Sequence, residues 1–180
     1  MRLTLSFCLA LLPAFAQAQS PRPDQTSALI ASLETGVICP PPSVGEIAAP
    51  DTVAGTTHLI EDEPPFVSLS NRVPAVIGIG FGTKSMTTKL GGLQGVTMTV
   101  THPAMGKGGA TSQSFQTSID GVIPSLTFYQ FDYDYELVPG LWQMEASKDG
   151  KVLYRTTFEV VPPKAIPELA QICGFEELLS

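Results

Sequence analysis

The side chains best suited to chemistry are few. Met98, His102 and Met105 place two thioethers and an imidazole in one short stretch, and such soft ligands suit Cu(I). Met98, however, falls on the apolar side of an alternating run, where a methionine usually fills core. His102 precedes Pro103 in what reads as the turn leaving a strand, and the other histidine, His58, is remote in sequence. Core plus turn is therefore the first reading of these residues, and copper handling is the alternative. Asp132, Asp134 and Glu136 alternate with Phe131, Tyr133, Tyr135 and Leu137. Carboxylates on one strand face can serve Ca²⁺, which takes about six to eight oxygens. The plainer expectation is a solvated face backed by buried aromatics, with Glu61-Asp62-Glu63 a solvated loop.

Gly78-Ile79-Gly80-Phe81-Gly82-Thr83-Lys84-Ser85 approaches a phosphate-binding loop but has Thr83 where that motif requires glycine before the lysine. Read as a strand, it puts Ala75, Ile77, Ile79 and Phe81 on one side and Gly78, Gly80 and Gly82 on the other. A bare glycine side lets an aromatic ring or a neighbouring backbone approach closely. A hydrolase needs nucleophile, base and orienting group; serines abound, yet neither His58 nor His102 lies in a hydrolase motif. The expectation is a protein that is not an enzyme and that holds no cofactor or metal.

The compartment is written at the N-terminus. Arg2 precedes an apolar stretch from Leu3 to Ala16, which exits through Ala16-Gln17-Ala18. A basic start, a short apolar core and a small-x-small exit make a secretory signal peptide, residues 1–18, cleaved between Ala18 and Gln19. The stretch is shorter than the ~20 residues that span a bilayer, and Cys8 lies inside the apolar core after bulky Phe7, which disfavours a lipoprotein. No later stretch approaches spanning length. The mature chain is then expected to be periplasmic and without a membrane span. Cys39 and Cys173 remain after cleavage, and in an oxidising compartment they most simply form one disulfide. The competing reading is a metal pair, although metal sites prefer four clustered ligands.

The chain carries 17 acidic and 10 basic residues, a net charge of −7, and losing Arg2 makes it more negative. Without a basic stripe, an acidic surface repels phosphate backbones and anionic headgroups, so nucleic acid is excluded as a partner. A protein, peptide or glycan of the envelope is the expected one.

The elements that must position these residues have period two. Val96, Met98 and Val100 alternate with threonines, and Trp142, Met144 and Ala146 alternate with Gln143, Glu145 and Ser147. Lys148-Asp149-Gly150 makes a hairpin turn into a strand from Val152 to Val161, ended by Pro162-Pro163. Further strands are expected at Thr56–Ile60, Phe66–Leu69, Val76–Met86, Ser114–Ile119 and Thr127–Phe131, separated by Pro and Gly clusters. Ser27–Leu33 is open between a helical turn and a strand. Pro167–Cys173 reads as a short helix started by proline and capped by Gly174. The fold class is all-β, a single antiparallel sandwich with a short C-terminal helix. Residues 19–33 form a lead segment, 34–174 the sandwich and 175–180 a tail.

Leu137-Val138-Pro139-Gly140-Leu141-Trp142 resembles the corner between the sheets of immunoglobulin-like and fibronectin-like sandwiches. With Gly36-Val37-Ile38-Cys39-Pro40-Pro41, Ala49-Pro50-Asp51-Thr52, Thr101-His102-Pro103-Ala104-Met105-Gly106 and Phe158-Glu159-Val160-Val161-Pro162-Pro163, it is similar to a family of small exported proteobacterial proteins known as a domain of unknown function. That resemblance covers about Glu34 to Gly174. It implies a single envelope domain and brings no catalytic residue.

Overall fold

The computed structural model describes residues 21–179; the expected signal peptide and its expected Ala18–Gln19 cleavage lie outside them. In chain order the strands are β1 (Gln25–Thr26), β2 (Ile30–Ile38), β3 (Ser43–Ala48), β4 (Thr56–Ile60), β5 (Arg72–Pro74), β6 (Gly80–Thr87), β7 (Leu93–Met105), β8 (Ala110–Ile119), β9 (Ser125–Gln130), β10 (Gly140–Lys148) and β11 (Lys151–Val161). A short helix, α1 (Pro167–Cys173), follows. The larger sheet runs β1-β11-β10-β7-β8, and β5 pairs in parallel with the far end of β11. The facing sheet is β2-β6-β9, and β3 with β4 forms a separate two-stranded arm.

The two main sheets enclose one core, as all-β patterning with scarce helix requires. Phe81 of β6 sits at its centre, with ring centroids 4.9 Å from Phe158, 5.8 Å from Trp142 and 5.6 Å from Phe131. Trp142, Met144 and Ala146 are buried as their alternation requires, and the indole N–H donates to the Val138 carbonyl at 3.0 Å. The β10–β11 hairpin closes through Asp149 (φ 50°) and Gly150 (φ 72°), paired Lys148 to Lys151. Those two positive φ values are what a two-residue hairpin of matching twist needs.

Several boundaries differ from the sequence reading. Ser27–Leu33 resolves into strand from Ile30 onward. Phe66–Leu69 makes only one bridge, Ser68 to Val37. The strand expected from Val76 begins at Gly80, because Gly78 turns the chain at φ 85° and leaves Ile77 exposed. A side chain at Gly78 would also strike Pro40, since a Cβ there meets its ring at 2.7 Å. Within β6 the bare side works as expected. A Cβ on Gly82 would lie 2.2 Å from the Thr127 carbonyl and 2.5 Å from the Phe128 backbone, and one on Gly36, its pair on β2, 2.4 Å from the Phe66 ring.

Cys39, just past β2, and Cys173, the last residue of α1, are bonded, with Cα atoms 5.1 Å apart. Pro167 opens that helix and Gly174 closes it in the left-handed region, φ 76°, where glycine is unstrained. Among the described residues no helix is long and apolar enough to cross a membrane.

Candidate functional site

A buried polar network lies where the β3–β4 arm meets the sandwich. His102 is 4 % exposed, not a turn residue: it continues the inward phase of Val96, Met98 and Val100 on β7. Its ring packs on Trp142 with centroids 4.8 Å apart. Ladder pairing stops after Thr101 and resumes only at Met105, so Pro103 is tolerated inside the strand. Nδ1 lies 2.9 Å from the Pro103 carbonyl, which only accepts, so Nδ1 carries the proton and Nε2 accepts from Gln113 Nε2 at 3.3 Å. Burial holds the His102 pKa below its ordinary value.

Gln113, on β8, spends every polar atom. Its second N–H donates to the Tyr129 hydroxyl at 3.2 Å, and its oxygen accepts from Val53 N–H at 3.1 Å. Tyr129 in turn donates to Glu136 Oε1 at 2.6 Å. Glu136 Oε2 accepts from the backbone N–H groups of Asp132 (2.6 Å) and Tyr133 (2.9 Å). Burial pushes the Glu136 pKa up while these hydrogen bonds pull it down, and burial beside that carboxyl raises the Tyr129 phenol, which stays a donor.

These contacts reverse the expected solvated face at Asp132, Asp134 and Glu136. The segment is a single turn of 3-10 helix, Asp134–Glu136, and not a strand. Glu136 is the buried member, at 2 % exposure, while Tyr133 and Tyr135 stand outside and stack with centroids 5.2 Å apart. The three carboxylates therefore do not share a face. The methionine–histidine set is likewise dispersed. Met98, His102 and Met105 are all buried, but four residues of strand hold Met98 about 13 Å from His102 along β7. Among the described residues no cluster of three His, Cys, Asp or Glu side chains could hold a metal ion.

The arm adds His58, from β4. Its Nε2 pairs with Asp132 Oδ1 at 2.9 Å and its Nδ1 faces Ser43 Oγ at 3.1 Å. The order Ser43–His58–Asp132 has the connectivity of a nucleophile relay. Ser43 Oγ is also 2.9 Å from the Gly45 carbonyl and accepts from Gly45 N–H at 3.4 Å, closing its own turn at the β3 bulge. It does not line the cleft that His58 and Asp132 border, a space of about 60 Å³ reaching Gln113, Tyr129 and Glu136. What the triplet does in this geometry is tie the arm to the sandwich.

A larger cavity, about 450 Å³, opens at the opposite side of the Asp132–Leu137 segment. Its walls are lined by Val76, Ile77 and Ile79 from the segment before β6, by Gly174, Phe175 and Leu178 from the C-terminal segment, and by Pro40, Cys173 and Leu137. The Cys39–Cys173 bond holds the Pro40 and C-terminal parts of that lining together. Sequence reasoning missed this place because its walls come from segments nearly a hundred residues apart, and Phe175 and Leu178 fall in what read as a tail.

A family profile described as "Domain of unknown function (DUF3859)" matches residues 27–160. Comparison with curated proteins finds no match. Among solved structures, the chain is similar to an immunoglobulin-like protein from Pseudomonas aeruginosa at 18 % identity and a TM-score of 0.46, covering 74 % of this chain and 94 % of that one.

Proposed function

The chain belongs to the DUF3859 family of domains of unknown function, and from that premise we propose that it is a non-enzymatic binding or accessory domain of the cell envelope. One observation carries the reading: the cavity of about 450 Å³ between the β6 end of the sandwich and the C-terminal segment. Its volume falls within the range of about 300–1,000 Å³ typical of ligand pockets, and its walls are mostly apolar, as such pockets are. The polar network under the arm is spent on its own members, so it supports structure better than turnover.

Export to the periplasm fits this reading, since the Cys39–Cys173 bond that builds the cavity persists best in an oxidising compartment. Mass spectrometry of the envelope fraction should find an N-terminus at Gln19, and a cytoplasmic chain retaining Met1 refutes export. The cavity itself is tested with the neutral dye N-phenyl-1-naphthylamine. Saturable, one-to-one fluorescence enhancement is expected, lost in Ile77→Trp, where an exposed wall residue is enlarged to fill the space. No saturable signal, or one indifferent to Ile77→Trp, refutes the binding reading.

A further inference from the structure

The cavity beside the disulfide has hydrocarbon walls and an acidic mouth. Ile77, Ile79, Leu137 and Phe175 supply apolar surface, while among the described residues the charged side chains in its lining are Asp134 and Glu177. Asp134 is exposed at the tip of the 3-10 turn, and among the described residues no ion pair engages it.

An apolar ligand seated here covers the mouth and removes water from Asp134. A carboxylate on that ligand would meet like charge, and a neutral ligand would leave Asp134 without a counter-ion in a drier place. A single positive charge resolves both costs. The chain's net charge of −7 adds a field that draws cations inward. Resting on the binding reading above, we propose that the cavity takes a small amphipathic cation: an alkyl or aryl body among Ile77, Ile79 and Phe175, with one ammonium group at Asp134.

Three probes of equal chain length, octylammonium, octanol and octanoate, separate the contributions when titrated below their aggregation limits into the disulfide-intact protein at neutral pH and low salt. Octylammonium should bind about fivefold tighter than octanol, the effect expected of one partly screened ion pair, and octanoate should bind most weakly. Asp134→Asn should remove that fivefold advantage and leave octanol unchanged, and high salt should narrow the gap. Ile77→Trp should abolish binding of all three. Octanol binding as tightly as octylammonium, octanoate binding tightest, or an Asp134→Asn variant that keeps the advantage overturns the charge assignment while the cavity reading survives. Failure of every probe, or indifference to Ile77→Trp, overturns both.

Discussion

Replacing Tyr129 with Phe removes one oxygen from the centre of the buried network and leaves the ring in place. The ring's neighbours, Phe81 at 5.8 Å, Phe131 at 6.0 Å and Trp142 at 5.2 Å between centroids, are unaffected by the change. What goes is the 2.6 Å bond to Glu136 Oε1 and the weaker 3.2 Å bond from Gln113, whose amide keeps His102 as a partner. A hydrogen bond to a charged group is worth about 1.5–3 kcal/mol, against about 0.5–1.5 kcal/mol for a neutral pair. The cost therefore depends on whether Glu136 is ionised. Its folded pKa is already raised by burial, and the Tyr129 bond is the leading cause that lowers it, so the variant raises it further. Above that pKa the variant loses a charge-assisted bond; below it, both proteins carry a neutral carboxyl and the difference shrinks. Urea unfolding followed by Trp142 emission should give a penalty of about 2–3 kcal/mol at pH 8 and a smaller one at pH 5. For a domain of this size that is a melting point lower by roughly 4–12 °C at the higher pH. A variant within 0.5 kcal/mol of wild type, on the order of experimental scatter, or a penalty larger at pH 5 than at pH 8, refutes the network as drawn.

Three further outcomes follow from the same contacts. Trp142, fully buried among four rings, should emit at blue-shifted wavelengths, and Trp142→Ala should cost about 3–5 kcal/mol; water-exposed emission from the native protein contradicts the strand phase. The Cys39–Cys173 bond closes a loop with a sequence separation of 134, so the double alanine variant should lose up to about 5 kcal/mol by chain entropy, and a melting point unchanged on reduction contradicts that. His102 has a folded pKa below its unfolded value, so its contribution is fully present above about pH 6.5 and is lost as pH falls toward the folded pKa, by at most about 1.4 kcal/mol per pH unit. His102→Phe should flatten that acid slope, and an identical slope in wild type and variant shows that His102 is not its source.

The elements legible in the sequence are those with local signals. Asp149-Gly150 and Pro167…Gly174 announce a hairpin and a helix by backbone chemistry that needs no distant partner, and both form where expected. Period two located β7, β10 and β11, but it says nothing about which phase faces inward when both phases are amphipathic. At Asp132–Glu136 the aromatics argued for one face, and the carboxylate won the interior because a tight turn aimed two backbone N–H groups at Glu136. His102 could have been placed by carrying the Val96–Met98–Val100 phase one step further; Pro103 masked it. The arm was half legible: β4 fell where expected, while β3 is exposed along its whole length and so carries no burial pattern to read. Gln113 gave no signal, since its role depends on three strands meeting.

The covalent tie between Cys39 and Cys173 also decides how the domain answers a pull. Tension entering from residues before Cys39 and leaving after Cys173 passes through two sulfur atoms and bypasses the chain between them, a sequence separation of 134. Among the described residues, only those before Cys39, with β1 and β2, and the short stretch after Cys173 can pay out. About 470 Å of contour, at roughly 3.5 Å per residue, stays locked while the bond holds. Most of the sandwich is thus a non-extending link, and reduction would turn it into a long, compliant spring.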